Sequence, residues 1–263
     1  MTDQHDQHDQ HLKVTVDDGV MTIQFIRPQA LNAVTREVAA ALEAAVDRAA
    51  SEARAVVITG DERSFCSGAD LGGDSAAGGE RKGVGLDVIN SIIRKIRDLK
   101  VPTIAAVSGP AAGVGCSFAL ICDYVVMSDD SYLMLAFTKI GLMPDGGATA
   151  LVAASAGRHR ALRMALTAEK VKAATALDWG LATEVAPAGT YLERAQEIAA
   201  RFATGPTLSL GETEYAVNQA ALSELDAALD REAEGQSRLQ GSADFAEGVA
   251  AFREKRAAKF EGK

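Results

Sequence analysis

Cysteine, histidine and basic residues are all scarce in this chain, and each scarcity excludes a class of function. The three cysteines, Cys66, Cys116 and Cys122, form no Cys-x-x-Cys pair. That argues against a disulfide framework or a zinc site and fits a reducing cytoplasm. Of the four histidines, His5, His8 and His11 lie in an N-terminal Asp-Gln-His repeat, which leaves His159 for the folded body. No Gly-x-Ser-x-Gly elbow accompanies it, so a Ser-His-Asp triad has no support. Lys plus Arg number 27 against 36 Asp plus Glu, a formal charge of −9. Nucleic-acid binding wants the opposite balance. A small anionic ligand needs only local basic residues, so net charge does not bear on it. No run approaches the ~20 apolar residues of a membrane helix, and the N-terminus lacks the charged-then-apolar pattern of an export signal.

What the chain has is an ordinary globular mixture over 263 residues, 48% apolar and 24% charged, enough for one large α/β unit. The repeat at residues 1–11 is polar and low in complexity, which predicts a disordered tail. Residues 14–16 and 20–25 read as strands around the turn Asp17-Asp18-Gly19. A helix is predicted from about Thr35, with Val38, Ala41, Leu42, Ala45, Val46 and Ala49 on one face. Residues 55–59 and 103–107 are continuous apolar runs, as in parallel strands covered on both faces. Helices are predicted over 86–99 and 116–122, with a strand over 124–127. Strands alternating with helices give an α/β class. From about Tyr191 the pattern is almost wholly helical, and Gly205-Pro206 is a natural hinge. The division is therefore a tail at 1–11, an α/β core at 12–204 and a helical region at 205–263.

Two loops carry the chemical interest, because each follows a buried strand and holds few bulky side chains. One is Ser64-Phe65-Cys66-Ser67-Gly68-Ala69-Asp70-Leu71; the other spans residues 109–115. Small residues leave main-chain N–H groups open to a ligand, and two such donors on one oxygen make an oxyanion hole. The same glycines serve equally well in tight turns or close packing. The second loop also has the Gly-xxx-Gly-x-Gly form of a short-chain dehydrogenase fingerprint, with Asp129 at a suitable distance. The residues four beyond Tyr124, Tyr132, Tyr191 and Tyr215 are Ser128, Ala136, Ala195 and Gln219. None is the lysine which that chemistry needs.

Five segments, in order, resemble the enoyl-CoA hydratase/isomerase (crotonase) superfamily. They are Arg27-Pro28-Gln29-Ala30-Leu31-Asn32-Ala33 and residues 64–71, 104–116, 140–147 and 247–260. The resemblance implies a crotonase-like spiral of ββα units, with C-terminal helices that build a homotrimer or a dimer of trimers. It implies an acyl-CoA thioester as substrate, with coenzyme A part of that substrate and no other cofactor or metal. The thioester oxygen would be held by the amides of Ala69 and Val114, which stabilise an enolate. Family register places Arg27, Ala30 and Leu31 near the nucleotide and pantetheine. It places Ser67 and Gly68 near the adenine, Asp70 and Leu71 along the tunnel, and Lys255 within reach of phosphates, its own subunit's or a neighbour's. Lys255 fits equally an exposed charge on an amphipathic helix. The Gly- and Ser-rich stretch after Leu71 would form part of the acyl pocket. Trp179 reads as core or interface, and Cys66 and Cys116 as small packing residues.

The carboxylates then select the reaction. Hydratases of this superfamily place two glutamates across a water; by register these fall at Ser117 and Phe137, and neither is acidic. Asp145, in Gly141-Leu142-Met143-Pro144-Asp145-Gly146-Gly147, is the acid close by. Some isomerases of the superfamily carry a single acid just after this proline. A single carboxylate suffices to move a proton between C2 and C4 of a 3-enoyl thioester, or to assist rearrangement of a ring-epoxide thioester. Apolar surroundings from Phe137, Leu142 and Met143 would raise its pKa. Pro-Asp-Gly is also an ordinary turn. The expectation is an enoyl-CoA isomerase acting through Asp145. A hydratase, a thioester hydrolase or a non-catalytic acyl-CoA-binding paralogue remain open.

Overall fold

The computed structural model describes residues 7–8, 11–71 and 84–263. Strands β1 (Gln7–His8), β2 (Leu12–Asp17), β3 (Val20–Phe25), β4 (Ala55–Thr59), β5 (Thr103–Val107), β7 (Tyr124–Ser128) and β10 (Glu184–Ala186) form one sheet in that order. From β3 onward each neighbouring pair is parallel. A smaller sheet holds β6 (Pro110–Ala112), β8 (Tyr132–Met134) and β9 (Val171–Lys172). The helices are α1 (Arg36–Glu52), α2 (Leu86–Asp98), α3 (Val114–Leu120), α4 (Ala148–Ala156), α5 (Arg158–Thr167), α6 (Ala173–Trp179), α7 (Tyr191–Ala203), α8 (Thr207–Ala221), α9 (Leu225–Leu239) and α10 (Ala243–Arg253).

Alternation explains why the strand runs are apolar throughout. Val56 and Ile58 on β4, and Ala105 and Val107 on β5, enter the main core with α1, α2 and α3. Their neighbours Ala55, Val57, Ile104 and Ala106 face Tyr191, Ala195, Ile198 and Ala199 of α7. Side chains of period two thus meet helices on both faces, each fully buried aliphatic contributing about 1.5–3 kcal/mol. The β2–β3 turn uses Asp18 at φ +46° and Gly19 at φ +80°, the paired left-handed geometry of a two-residue hairpin. Thr35 caps α1 by accepting from the amide of Val38. On α1 the buried stripe includes Ala39 where the periodicity put Ala41.

The spiral reads directly from the strand order. A strand of the large sheet is followed by a short strand of the small sheet and then a helix: β5, β6 and α3 make one such turn. The preceding turn has β4, then a single parallel bridge from Cys66 to Ala111 of β6, then α2. The turn before that ends in a parallel bridge from Val34 to Ala69. The small sheet was not foreseen, because strands of two or three residues carry no readable periodicity.

Three expectations need correcting. Helix α3 begins at Val114, two residues earlier than periodicity placed it, because Gly113 at φ +55° turns the chain straight into the helix. Gln7–His8, expected within a disordered tail, pair antiparallel with β2; residues 1–6 and 9–10 of that tail lie outside the described residues. The Gly205-Pro206 junction is pinned, since Arg54 donates to Gly205 O at 2.9 Å and to Thr207 Oγ1 at 3.0 Å. Helices α8–α10 follow it, and Leu225 and Leu229 of α9 are completely buried in the main core. The extended segment after Leu71, expected in the acyl pocket, falls largely in residues 72–83, outside the described residues. Trp179 belongs to the core, and Cys66, Cys116 and Cys122 are buried. His159 is exposed at the start of α5. No helix is long and apolar enough to cross a membrane.

Candidate active site

The two small-residue loops are laced together by main-chain hydrogen bonds. Cys66 N donates to Pro110 O at 3.1 Å, and Ala112 N donates to Cys66 O at 2.9 Å. Ala69 and Val114 each lie three residues beyond the bridged pair Cys66 and Ala111, at matching positions on successive turns of the spiral. Among the described residues, neither the Ala69 nor the Val114 amide donates a hydrogen bond within the chain. For Val114 this follows from its place in the first turn of α3, where no carbonyl lies four residues back in the helix.

Both turns need glycine, Gly68 through close approach as well as its positive φ, Gly113 through its φ of +55°. A Cβ on Gly68 (φ +103°) would sit 3.0 Å from Ala112 O and 3.6 Å from Gly113 Cα. A Cβ on Gly113 would sit 3.5 Å from Gly68 Cα and 3.9 Å from Phe137 Cζ. Behind them, a Cβ on Gly115 would overlap Cys66 O. Ala69 is exposed and Gly113 partly so, while Val114 and Gly68 are buried. Two unused amides on adjoining turns can stabilise negative charge on an oxygen without reorganising.

The loop after β3 completes the surroundings. Ser67 N donates to Leu31 O at 3.0 Å, and Ser67 Oγ to Ala30 O at 3.3 Å. Ala30, Leu31, Ser67 and Gly68, which the family resemblance set along one ligand, are therefore neighbours. Arg27 ion-pairs with Asp70 at 3.0 Å and donates to Ala33 O at 2.5 Å. Its guanidinium bridges the two loops. Leu71 O accepts from Arg253 Nη2 at 3.1 Å, which ties the end of α10 to this loop. Lys255 is exposed just beyond α10, at φ +54°.

Asp145 lies in the segment between Gly141 and α4. Ser117 Oγ donates to its main-chain carbonyl at 2.9 Å, and a Cβ on the next residue, Gly146, would lie 3.2 Å from Ser117 and 3.3 Å from Ile89 of α2. Phe137 meets the donor turn at Gly113, and Leu142 N donates to Phe137 O at 3.1 Å. So the main chain of Asp145 meets Ser117, on the helix that Val114 begins, and Phe137 lies against the turn at Gly113. The carboxyl is partly accessible yet crowded by protein, and burial pushes its pKa up to about 7. The Gln236 amide opposes that rise, and the charge of Glu232 adds to it.

Glu232 and Gln236, both on α9, are the residues that sequence reading missed. Glu232 accepts from Gly147 N at 2.7 Å, Thr149 N at 2.9 Å and Thr149 Oγ1 at 2.5 Å. It thereby caps α4 from another element. Gln236 Nε2 donates to Asp145 Oδ2 at 2.6 Å. Met143, expected to line Asp145, sets its sulfur against Gly235 of α9. Asn32 is a third omission: it is buried at φ +55° and donates to Asp61 Oδ2 and Ser64 O. The available signal was periodic: Leu225, Leu229, Glu232 and Gln236 keep one helical stripe with two polar members. No group of three metal-ligating side chains converges among the described residues.

Residues 15–263 match the enoyl-CoA hydratase/isomerase family profile. The chain belongs to that family. A probable enoyl-CoA hydratase of Rhodobacter capsulatus is 38% identical over 252 residues, covering 96% of this chain and 98% of that protein. The 1,2-epoxyphenylacetyl-CoA isomerase of Escherichia coli is 37% identical over 254 residues, covering 94% and 97%. The crystal structure of an enoyl-CoA hydratase from Mycobacterium avium subsp. paratuberculosis shares 45% identity. It superposes with a TM-score of 0.86 over 95% of this chain and 98% of that one. Within the enoyl-CoA hydratase/isomerase family, these relatives of similar identity carry different activities in their names, so overall likeness leaves the reaction to the side chains.

Proposed function

We propose that this protein is an enoyl-CoA isomerase in which Asp145 alone moves the proton. The amides of Ala69 and Val114 receive the thioester oxygen. Asp145, as carboxylate, takes a proton from C2 of a 3-enoyl thioester. The electron pair delocalises through the carbonyl to give a dienolate, whose oxygen charge the two amides hold. The same carboxyl returns the proton to C4, and the double bond moves to C2–C3. Atoms and electrons balance within the substrate, so the step calls for no metal or redox cofactor.

The observation that carries this reading is the setting of Asp145: a crowded carboxyl with a pKa near 7, its main chain bonded to Ser117 on the helix that Val114 begins. Such a group accepts and returns protons at neutral pH. Ser117 and Phe137 supply no second acid, which disfavours two-carboxylate water addition. Ala30, Leu31, Ser67 and Gly68 line the coenzyme A path in this reading, with Asp70 and Leu71 continuing it and Lys255 at its phosphate end. Leu166 on α5 and Leu208 and Val217 on α8 are exposed. They favour burial between copies in a homotrimer or dimer of trimers, read by mass in solution. Three buried thiols fit a cytoplasmic setting.

The test is turnover of a 3-enoyl-CoA by wild type and Asp145→Asn, with α-proton exchange followed in deuterated water. Loss of roughly 10²–10⁴-fold in the variant is expected. Unchanged turnover removes Asp145 from the reaction. Water addition to a 2-enoyl-CoA, faster than isomerisation, establishes the hydratase instead. Binding without exchange establishes a non-catalytic acyl-CoA-binding protein.

A further inference from the structure

Helix α9 places two polar side chains in the main core, one turn apart. Glu232 is satisfied by three donors from residues 147–149. Gln236 is fully buried and makes one bond, from Nε2 to Asp145 Oδ2 at 2.6 Å. Its other end, Oε1, is buried with no hydrogen-bond partner among the described residues. Buried polar atoms are nearly always paired, and the one bond Gln236 makes goes to the Asp145 carboxyl. Nor is Gln236 an accident of a loose helix: Gly235 beside it packs its main chain on Met143, and Leu225 and Leu229 anchor the same stripe.

We propose that Gln236 is a positioning residue for the proton-transferring carboxyl, fixing Oδ2 of Asp145 so that Oδ1 is the oxygen presented to substrate. The inference rests on the isomerase reading above and names what supports its acid. Oδ1 accepts no hydrogen bond among the described residues, which leaves it available for the C2 and C4 protons. Nε2 donates to Oδ2 while Asp145 is a carboxylate. When Oδ1 takes the substrate proton, Oδ2 becomes the carbonyl oxygen of the acid and still accepts from Nε2, so no bond at Gln236 has to break. One side chain can therefore grip the same oxygen in both protonation states of a shuttle.

The groups facing Asp145 make the direction of the effect definite. From α9 come Gln236 and the charged Glu232; from α3, Ser117 reaches only the main-chain carbonyl; from α2, Ile89 packs beside Gly146. Burial and Glu232 both raise the proton affinity of Asp145, and Gln236 lowers it. Removing the amide therefore moves the pKa up, and a rate that needs the carboxylate loses ground on its acidic side.

The experiment compares wild type, Gln236→Met and Gln236→Glu as folded full-length chains. It measures the pH profile of 3-enoyl-CoA isomerisation, and the carboxyl ¹³C titration of Asp145 without turnover. In Gln236→Met the acidic limb and the ¹³C midpoint should both rise by about one pH unit. At pH 7, kcat should fall about fivefold to tenfold while KM changes little. Gln236→Glu keeps the shape and adds a like charge, so it should move the midpoint further the same way; it serves if the methionine variant does not fold. Superimposable profiles and midpoints overturn the inference, as does a rise in KM at constant kcat. Full activity in Asp145→Asn removes the underlying reading. An inactive Asp145→Asn with an unmoved Gln236→Met titration removes only this inference.

Discussion

At one end of the site, main chain does the work: Cys66, Pro110 and Ala112 lace two turns together, and glycines at 68, 113 and 115 let them touch. At the other end, side chains do it: Asp145 is held by Gln236 from 91 residues further along, and its segment by Glu232. The amide end is built from strand ends that recur at each turn of the spiral, so its geometry follows from the fold itself. The acid end is built by one helix laid across a loop, so its chemistry can be changed by single substitutions without disturbing the sheets. A scaffold of this kind can keep one intermediate and vary what is done with it.

The contrast can be broken most severely at the amide end. Gly115→Ala sets a Cβ against Cys66 O and 2.8 Å from Cys66 Cβ. Overpacking against backbone should cost about 3 kcal/mol or more in chemical denaturation and abolish enolate formation. A well-folded, fully active Gly115→Ala would show that the turns need not touch.

At the acid end, substitution should instead stabilise. The folded pKa of Asp145, about 7, lies above the ordinary 3.8. The native state therefore binds its proton more tightly, and stability declines as pH rises from about 4 to 7. Asp145→Asn escapes that decline. Its advantage should be absent below pH 4 and reach about 1–3 kcal/mol above pH 7. Thermal melting across that range checks it, and a variant less stable than wild type at pH 8 would contradict it. A smaller effect is expected from Glu232→Gln. Deleting that charge should lower the Asp145 midpoint by about half a unit. The acidic limb of the rate profile should move to lower pH, opposite to Gln236→Met; a shift in the same direction would show that Glu232 acts through loop position rather than charge.

The same contrast governs what could be read from the chain. The hairpin β2–β3, the runs of β4 and β5 and helices α1 and α2 announced themselves through period and turn chemistry, all local signals. Loops 64–71 and 109–115 stood out for their small residues, and the family resemblance pointed to Ala69, Val114 and Asp145 as candidates. Glu232 and Gln236 could not be found that way. A polar residue on a helix reads as solvated until the partner that buries it is known, and both partners lie more than 80 residues away. Arg27 shows the converse: the family resemblance set it near a nucleotide, and its ion pair with Asp70 could not be read from the chain.

The cysteines give the site a built-in reporter. Burial pushes the thiols of Cys66 and Cys116 up to about 12 and raises that of Cys122 as well. Native molecules should thus be nearly inert to alkylating reagents. Cys66 and Cys116 lie in and just beyond the two donor turns, whereas Cys122 lies past the end of α3. Labelling of the first two ahead of the third would time the parting of the turns separately from global unfolding.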